Sequence, residues 1–239
     1  MRVKEAGLSA HLRYDDYERR SALVRFLPLD ATARDWRGGG GRDLGDLVVG
    51  RYRVLRIEHD SVTVEATGSV TDANGRHAVR VEKRIAIGGS RLAPTLDVEV
   101  RVDNRSETAL EVRVGLEWAT TMLGGGGNPS AWWEVDGSRS RHDGEGAAEG
   151  VEGLAQGNDW LGTSIEASIE PAATAWWAPI ETVSNSEDGF ERVYQGSALL
   201  LSWPARIEPG VPWIASVRQA ATVTRDRAGE ELATASPGG

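Results

Sequence analysis

Cysteine is absent from the 239-residue sequence, and no long apolar segment is present. Without cysteine, disulfide bridges and thiolate metal sites are excluded, which is compatible with the cytoplasm. No run approaches the roughly 18 apolar residues that a membrane span requires, and the N-terminus has no apolar core of signal-peptide length. We therefore expect no membrane association and a cytoplasmic location.

Basic residues are too few to balance the acidic ones, and the formal net charge is -9 at pH 7. Nucleic acids and anionic membranes attract proteins through a basic field, so neither is expected as a partner. Hydrophobic residues make up 40% of the chain and charged residues 26%, values that are typical of a globular protein.

Motifs that would indicate a cofactor or a catalytic nucleophile are also missing. The four histidines, His11, His59, His77 and His142, are far apart and none shows a metal-ligand spacing such as i, i+4. The two glycine quartets lack the lysine-serine ending of a phosphate loop, and no serine lies in a G-x-S-x-G turn. The sequence therefore predicts no metal and no cofactor.

Alternation of apolar and polar residues runs along most of the chain. It is strict in TLDVEVRVD (95–103) and ALEVRVGLEW (109–118), which indicates half-buried antiparallel strands joined by a hairpin loop, DNRSET. A second hairpin is predicted across the Asn74-Gly75 turn signal. Further strands are expected at 21–27, 45–58, 160–169, 197–203 and 213–223.

Many short strands without intervening helices predict an all-β fold, a large antiparallel β-sandwich. We expect one such domain over residues 1–234, followed by a frayed tail at 235–239. Three glycine-rich stretches, 34–45, 124–130 and 136–158, are predicted as loops.

Tryptophan is unusually frequent, with 9 residues against 2 phenylalanines. Four of them form the adjacent pairs Trp132–Trp133 and Trp176–Trp177. Because successive side chains of a strand point to opposite faces, we expect one ring of each pair inside and the other outside. An outward ring can stack on the face of a sugar, as can Trp160 after the long polar stretch. These five tryptophans are candidate carbohydrate-binding residues, and core or interdomain packing is the alternative.

Glutamates follow the second tryptophan pair, at Glu181, Glu187 and Glu191. A retaining glycosidase needs two carboxyl groups about 5 Å apart, and Glu187 and Glu191 can meet across a turn. The stretch SNSEDG (184–189), which contains Glu187, is typical of a turn. Arg192 offers an ion-pair partner for these glutamates. Structural pairing is therefore favoured. Glu181 and Glu187 remain weaker carbohydrate-binding candidates, and no residue is assigned a catalytic role.

Two stretches resemble signatures of a known family. YDDYERRSALVRFL (14–27) and PIETVSNSEDGFERVYQGSALLLSWP (179–204) are similar to the C-terminal domain of glycoside hydrolase family 57. That family includes α-amylases and 4-α-glucanotransferases that act on α-1,4-glucans. DLGDLVVGRY (43–52) and VEKRIAI (81–87) lie in the expected order between them. The resemblance implies a β-sandwich similar to the galactose mutarotase-like carbohydrate-binding domains.

The same resemblance implies a catalytic (β/α) barrel, which this chain has no room for because such a barrel needs about 250 residues. It therefore implies a non-catalytic domain that binds an α-1,4-glucan or maltooligosaccharide, or that supports the barrel. The chain is then either a separate module or a piece of a larger enzyme.

Two alternative functions stay open. A hexose mutarotase or epimerase on the same sandwich would need a glutamate and two histidines in one cleft. An assembly subunit would instead dock onto a separately encoded barrel chain and complete a split glycoside hydrolase.

Overall fold

The computed structural model describes residues 17–38, 43–186 and 189–224, and this part of the chain is almost entirely β-structure. Its elements are β1 (Leu23–Leu27), α1 (Ala33–Arg37), β2 (Arg53–Ile57), β3 (Ser61–Asp72), β4 (Gly75–Ser90), β5 (Ala93–Asn104), β6 (Leu110–Thr120), β7 (Ala131–Val135), β8 (Ser138–Arg141), β9 (Gly146–Asn158), β10 (Thr163–Ser186), β11 (Gly189–Ile207) and β12 (Trp213–Val223). No helix of the described residues is long and apolar enough to cross a bilayer.

All strands pair antiparallel in one 12-stranded sheet that folds over a common core, and its two halves, called layers below, share strand β10. One layer has the order β10-β12-β5-β4-β3-β2, and the other has the order β1-β6-β11-β10. β10 pairs with β12 from Thr163 to Glu170 and with β11 from Thr174 to Ser186. β9 pairs with β10 on both sides of this change of layer and also with β7, which in turn pairs with β8. The predicted antiparallel all-β fold is confirmed.

The inner faces of the two layers meet in one apolar core. Alternate residues of β4 and β5 come from the first layer, and alternate residues of β6 and β11 come from the second. Burying each large apolar side chain stabilises the fold by roughly 1.5–3 kcal/mol. The fully buried contributors include Val81, Val100, Val102, Val112, Val114, Leu116, Trp118, Leu199 and Leu201.

The link DNRSET changes layers and does not form the predicted hairpin. β5 pairs with β4 and β12, whereas β6 pairs with β1 and β11. Buried Asn104 directs the chain here. Its Nδ2 donates to the carbonyls of Thr108 and Ile207 at 2.8 and 2.9 Å, and its Oδ1 accepts the N–H of Ser106. The same turn composition serves a hairpin and a crossing of the core, so composition alone gave the wrong connection.

The glycine-rich stretch 136–158 is also different from the prediction, because it contains β8 and all of β9. Its glycines make room for aromatic rings on neighbouring strands. A Cβ atom added at Gly157 would lie 2.6 Å from Cζ2 of Trp132, and one added at Gly146 would collide with the ring of Trp177. Glycine therefore permits close packing inside a strand here and does not mark a loop.

The remaining local predictions are mostly confirmed. The chain turns at Asn74, with Asp72 paired to Gly75, and 124–130 is a loop containing a 3₁₀ turn. The predicted strand at 45–58 is reduced to β2, and the first part of 34–45 forms helix α1. The tail at 235–239 lies outside the described residues. Strands are confirmed within 21–27, 160–169, 197–203 and 213–223.

A buried ion pair anchors Tyr17 and helix α1 to the outer face of the second layer. Arg25 on β1 donates to Glu117 on β6 and to Asp43, each at 2.6 Å. The hydroxyl of Tyr17 and the indole N–H of Trp36 in α1 donate to Glu117 at 2.8 and 3.0 Å. Burial opposes the charge of Arg25, but the neighbouring carboxylates outweigh it and raise the pKa of the guanidinium. The first signature stretch therefore has a structural role.

We expect Glu117→Gln to lower the free energy of unfolding by about 3–5 kcal/mol, because it leaves a buried guanidinium with incomplete charge compensation. Asp97→Asn is the control, since Asp97 forms an exposed pair with Arg218 at 2.9 Å and its loss should cost less than about 1 kcal/mol. Urea unfolding of both variants checks this. Equal effects would show that burial of the pair does not matter.

Lys83 is the second buried cation of the fold. Its Nζ donates to the carbonyl of Ala22 at 3.0 Å and lies 4.1 Å from the centre of the Tyr52 ring. Burial lowers the pKa of Lys83 from 10.5 to about 8. The folded protein therefore releases this proton at a lower pH than the unfolded chain.

The wild-type protein should gain about 2 kcal/mol of stability from Lys83 as the pH rises from about 8 to about 10, because the unfolded state then binds more protons than the folded state. Lys83→Met should lack this gain. Urea unfolding of both proteins across this range measures it. Parallel curves for the two proteins would contradict the assignment to Lys83.

Candidate functional site

A groove on the outer surface brings two of the predicted tryptophans together. It lies between the β7–β8 hairpin, the β9–β10 turn and the end of β12, and its volume is about 930 Å³, within the usual range of ligand sites. We call it the Trp132–Trp160 groove. Its charged lining residues are Glu134, Arg139, Asp159 and Glu166.

Trp160 presents its ring to solvent from a well-anchored turn. The side chain is 70% exposed, whereas Asn158 beneath it is fully buried. Oδ1 of Asn158 accepts the N–H groups of Trp160 and Leu161 at 3.0 and 3.1 Å, and its Nδ2 donates to the carbonyl of Met122 at 2.7 Å. Gly162 closes the turn with a φ of 62°, which glycine adopts without strain. The exposed ring is thus mounted on a fixed backbone.

Trp132 lies beside this turn, but its ring is covered. The ring packs over Gly157, and the guanidinium carbon of Arg139 lies 3.8 Å from the ring centre. The indole N–H donates to Asp159 at 2.7 Å, while Nε of Arg139 donates to Glu134 at 2.6 Å. The hydrogen bond to Glu134, with the charge of Asp159, raises the pKa of Arg139. Only 8% of Trp132 remains exposed.

The other three tryptophan candidates lie outside this groove. Trp133 is fully buried and stacks on His142 with 4.6 Å between the ring centres. Trp176 is buried under α1, where its ring centre lies 6.4 Å from that of Trp36. Trp177 is partly buried and packs against the main core. Trp133 and Trp176 therefore have no free ring face on which a sugar can stack.

The expectation that each pair leaves one free outward ring is wrong. The direction of each ring alternates as expected, since Trp133 and Trp177 join the main core while Trp132 and Trp176 lie on the outer faces. Both outer rings are nevertheless covered, Trp132 by a guanidinium and Trp176 by a helix. Strand periodicity gives the face of a residue but does not say what covers that face.

The two glutamate candidates belong to the β10–β11 hairpin. Glu181 is partly buried and forms an ion pair with Arg192 at 3.3 Å. Glu187 lies outside the described residues. The strands remain paired down to Ser186 and Gly189, and the turn predicted from SNSEDG falls on 187–188, outside the described residues.

The two buried histidines lie in separate hydrogen-bond networks. Nδ1 of His142 bonds to the hydroxyl of Tyr194 at 2.8 Å and its Nε2 bonds to Gln156 at 3.0 Å. Burial lowers the pKa of His142. His77 pairs with Asp72 at 3.0 Å. The two networks share no partner, and neither histidine lines the Trp132–Trp160 groove, which disfavours the mutarotase alternative.

The remaining two histidines are His59 and His11. His59 is exposed on the surface, and His11 lies outside the described residues. Within 17–38, 43–186 and 189–224, no group of three His, Asp or Glu side chains is arranged as metal ligands would be.

Sequence reasoning missed three residues that shape the groove, Asn158, Gly157 and Arg139. All lie in the stretch that was predicted as a loop. The segment Asn158 to Gly162 has the composition of an Asx turn that ends in glycine. Recognising this turn would have predicted strands on both sides of it and placed Trp160 at its tip.

The fold has two informative solved relatives. The structure of a putative aldose 1-epimerase from Escherichia coli matches with a TM-score of 0.56 at 11% identity, covering 86% of this chain and 81% of that one. The structure of a 4-alpha-glucanotransferase from Thermococcus litoralis matches with a TM-score of 0.70 at 20% identity, covering 90% of this chain and 29% of that one. The chain therefore shares its fold with these two solved β-proteins.

The family is defined by sequence. The profile described as "Alpha-amylase/4-alpha-glucanotransferase, C-terminal" matches residues 1–217. Alpha-amylase 1 of Dictyoglomus thermophilum is 30% identical over 222 residues, which are 90% of this chain and 30% of the amylase. A 4-alpha-glucanotransferase of Thermococcus kodakarensis is 26% identical over 198 residues, which are 82% of this chain and 26% of that protein.

The chain belongs to the family of C-terminal domains of α-amylases and 4-α-glucanotransferases, and the predicted resemblance to glycoside hydrolase family 57 is confirmed. It spans less than a third of the length of these curated relatives.

We expect Asn158→Ala to loosen the turn that carries Trp160 and to lower the free energy of unfolding by about 1–3 kcal/mol, because buried polar groups lose their partners. Asn128→Ala is the matched control, since Asn128 organises an exposed loop through bonds to Leu123 and Ser130. Urea unfolding measures the stability, and hydrogen exchange at the backbone N–H groups of Trp160 and Leu161 measures the loosening of the turn. Unchanged exchange at these two groups in Asn158→Ala would contradict the anchoring role.

Proposed function

We propose that this domain binds an α-1,4-glucan chain in the Trp132–Trp160 groove without cleaving it. The observation that carries the proposal is the exposed ring of Trp160 on a turn fixed by buried Asn158. The C–H face of a pyranose packs well on a flat aromatic ring. A preorganised ring also loses little conformational freedom when a ligand binds.

The charged residues of the groove suit the hydroxyl groups of a sugar. Carboxylates of Glu134, Asp159 and Glu166 can accept hydrogen bonds from hydroxyls, and such charge-assisted bonds are strong. Only one guanidinium, that of Arg139, stands among these lining residues. An excess of negative charge repels phosphorylated or uronic sugars. The proposed ligand is therefore a neutral glucan or maltooligosaccharide.

A binding role agrees with how the carboxylates are held. Asp159 accepts the indole N–H of Trp132, and Glu134 accepts Nε of Arg139. Both carboxylates are thereby fixed as hydrogen-bond acceptors. Catalysis would then belong to the part of such enzymes that this chain, at 30% of the amylase length, does not span.

A second candidate function is support of a catalytic domain. β2 lies at the edge of its layer, and Val54, Leu55 and Ile57 on it are 56%, 40% and 76% exposed. An apolar sheet edge of this kind favours coverage by another domain or chain. The occupant would be the catalytic barrel, in the same chain or separately encoded. The cytoplasmic location stays a prediction.

Maltoheptaose should shift the tryptophan emission of the wild-type domain in a saturable titration, and cellohexaose should not. Trp160→Ala should weaken maltoheptaose binding about tenfold, equivalent to about 1.4 kcal/mol of lost stacking. Calorimetric titration measures the variant, because removing a tryptophan alters the emission itself.

The matched control is Leu123→Ala, which removes a side chain that is 57% exposed and does not line the groove. Its affinity should equal that of the wild type. A flat wild-type titration would contradict glucan binding by the isolated chain and leave the β2 edge as the better-supported function.

A further inference from the structure

A second aromatic face lies in the groove under the side chain of Arg139. We infer that Arg139 occupies a sugar subsite on Trp132 and is displaced by an oligosaccharide that already stacks on Trp160. This inference rests on the proposed function. It makes Arg139 the residue that determines which ligand lengths bind well.

The guanidinium makes the contacts that a sugar ring would make in its place. Its carbon Cζ lies over the indole of Trp132 at 3.8 Å from the ring centre, where the C–H face of a pyranose would lie. Its N–H groups donate to Glu134 at 2.6 Å and to Asp159 at 3.5 Å, as sugar hydroxyls would. When Arg139 leaves, both a ring face and two acceptors become available.

Arg139 is held weakly enough to be displaced. Its side chain is 51% exposed, and its partners Glu134 and Asp159 are 37% and 64% exposed. Ion pairs at such exposure contribute little and are screened by salt. β8, which carries Arg139, pairs only with β7 among the described strands. Rotation of this side chain therefore gives up two exposed ion pairs and the contact with the ring of Trp132.

Trp132 itself stays in position when its cover moves. Its indole N–H donates to Asp159 at 2.7 Å, and Gly157 leaves the room that the ring needs against β9. Asp159 directly precedes Trp160 in the chain, and both residues line the groove together with Trp132. Adjacent subsites favour ligands that fill both, because the second contact is then intramolecular. The groove is therefore suited to an oligosaccharide more than to a single glucose.

The test compares Arg139→Ala with Arg206→Ala. Arg206 is a matched control, since it also pairs with two carboxylates, Glu111 and Glu208, and is 60% exposed. Without sugar and in a Trp160→Phe background, Arg139→Ala should increase acrylamide quenching of tryptophan, and Arg206→Ala should not. In the protein that retains Trp160, Arg139→Ala should bind maltoheptaose roughly two- to fivefold more tightly than the wild type does. This factor corresponds to the energy of an exposed cation–π contact.

The outcomes separate this inference from the proposed function. Weaker maltoheptaose binding by Arg139→Ala, or unchanged quenching, overturns the role of Arg139 as a cover while wild-type binding still supports the glucan site. Binding by Arg139→Ala when the wild type does not bind supports the cover. Absence of binding by both proteins overturns both proposals.

Discussion

The ion pair between Arg25 and Glu117 determines what the outer face of the second layer can be. A buried guanidinium and carboxylate tolerate burial only when nearly every donor and acceptor is satisfied. Tyr17 and Trp36 meet that requirement for Glu117, and Trp36 brings α1 against the outer face of the sheet. Helix α1 consequently buries Trp176. The ion pair thus makes the ring of Trp176 inaccessible to a ligand.

Trp176 and Trp132 differ in how firmly their rings are covered. Trp176 lies beneath a helix that is tied to a buried carboxylate, and Arg113 stands 5.4 Å from its ring centre. Trp132 lies beneath a single half-exposed side chain. Two outward tryptophans of similar exposure therefore have different prospects as ligand contacts. The energy needed to uncover the ring separates them, and the exposed area of the folded state does not.

The sequence allowed prediction of most strands, the turn at Asn74 and the family, because local alternation and turn chemistry act within a few residues. The crossing at Asn104 was not predictable in this way, since its decisive partner, the carbonyl of Ile207, lies 103 residues away. β9 was not predicted for the same reason, because Gly157 and Gly146 are explained only by the rings of Trp132 and Trp177 on neighbouring strands. In the groove, Trp132 and Trp160 were predicted as candidates, whereas Arg139, which covers Trp132, and Asn158, which anchors the turn of Trp160, were not.

The passage of β10 from one layer to the other has an evolutionary consequence. Because β10 is hydrogen-bonded in both layers, removing either layer would leave part of β10 without its partner strand. We therefore expect the two layers to be inherited, duplicated or exchanged together. Gene fusion or fission that respects folding must therefore cut outside the sandwich.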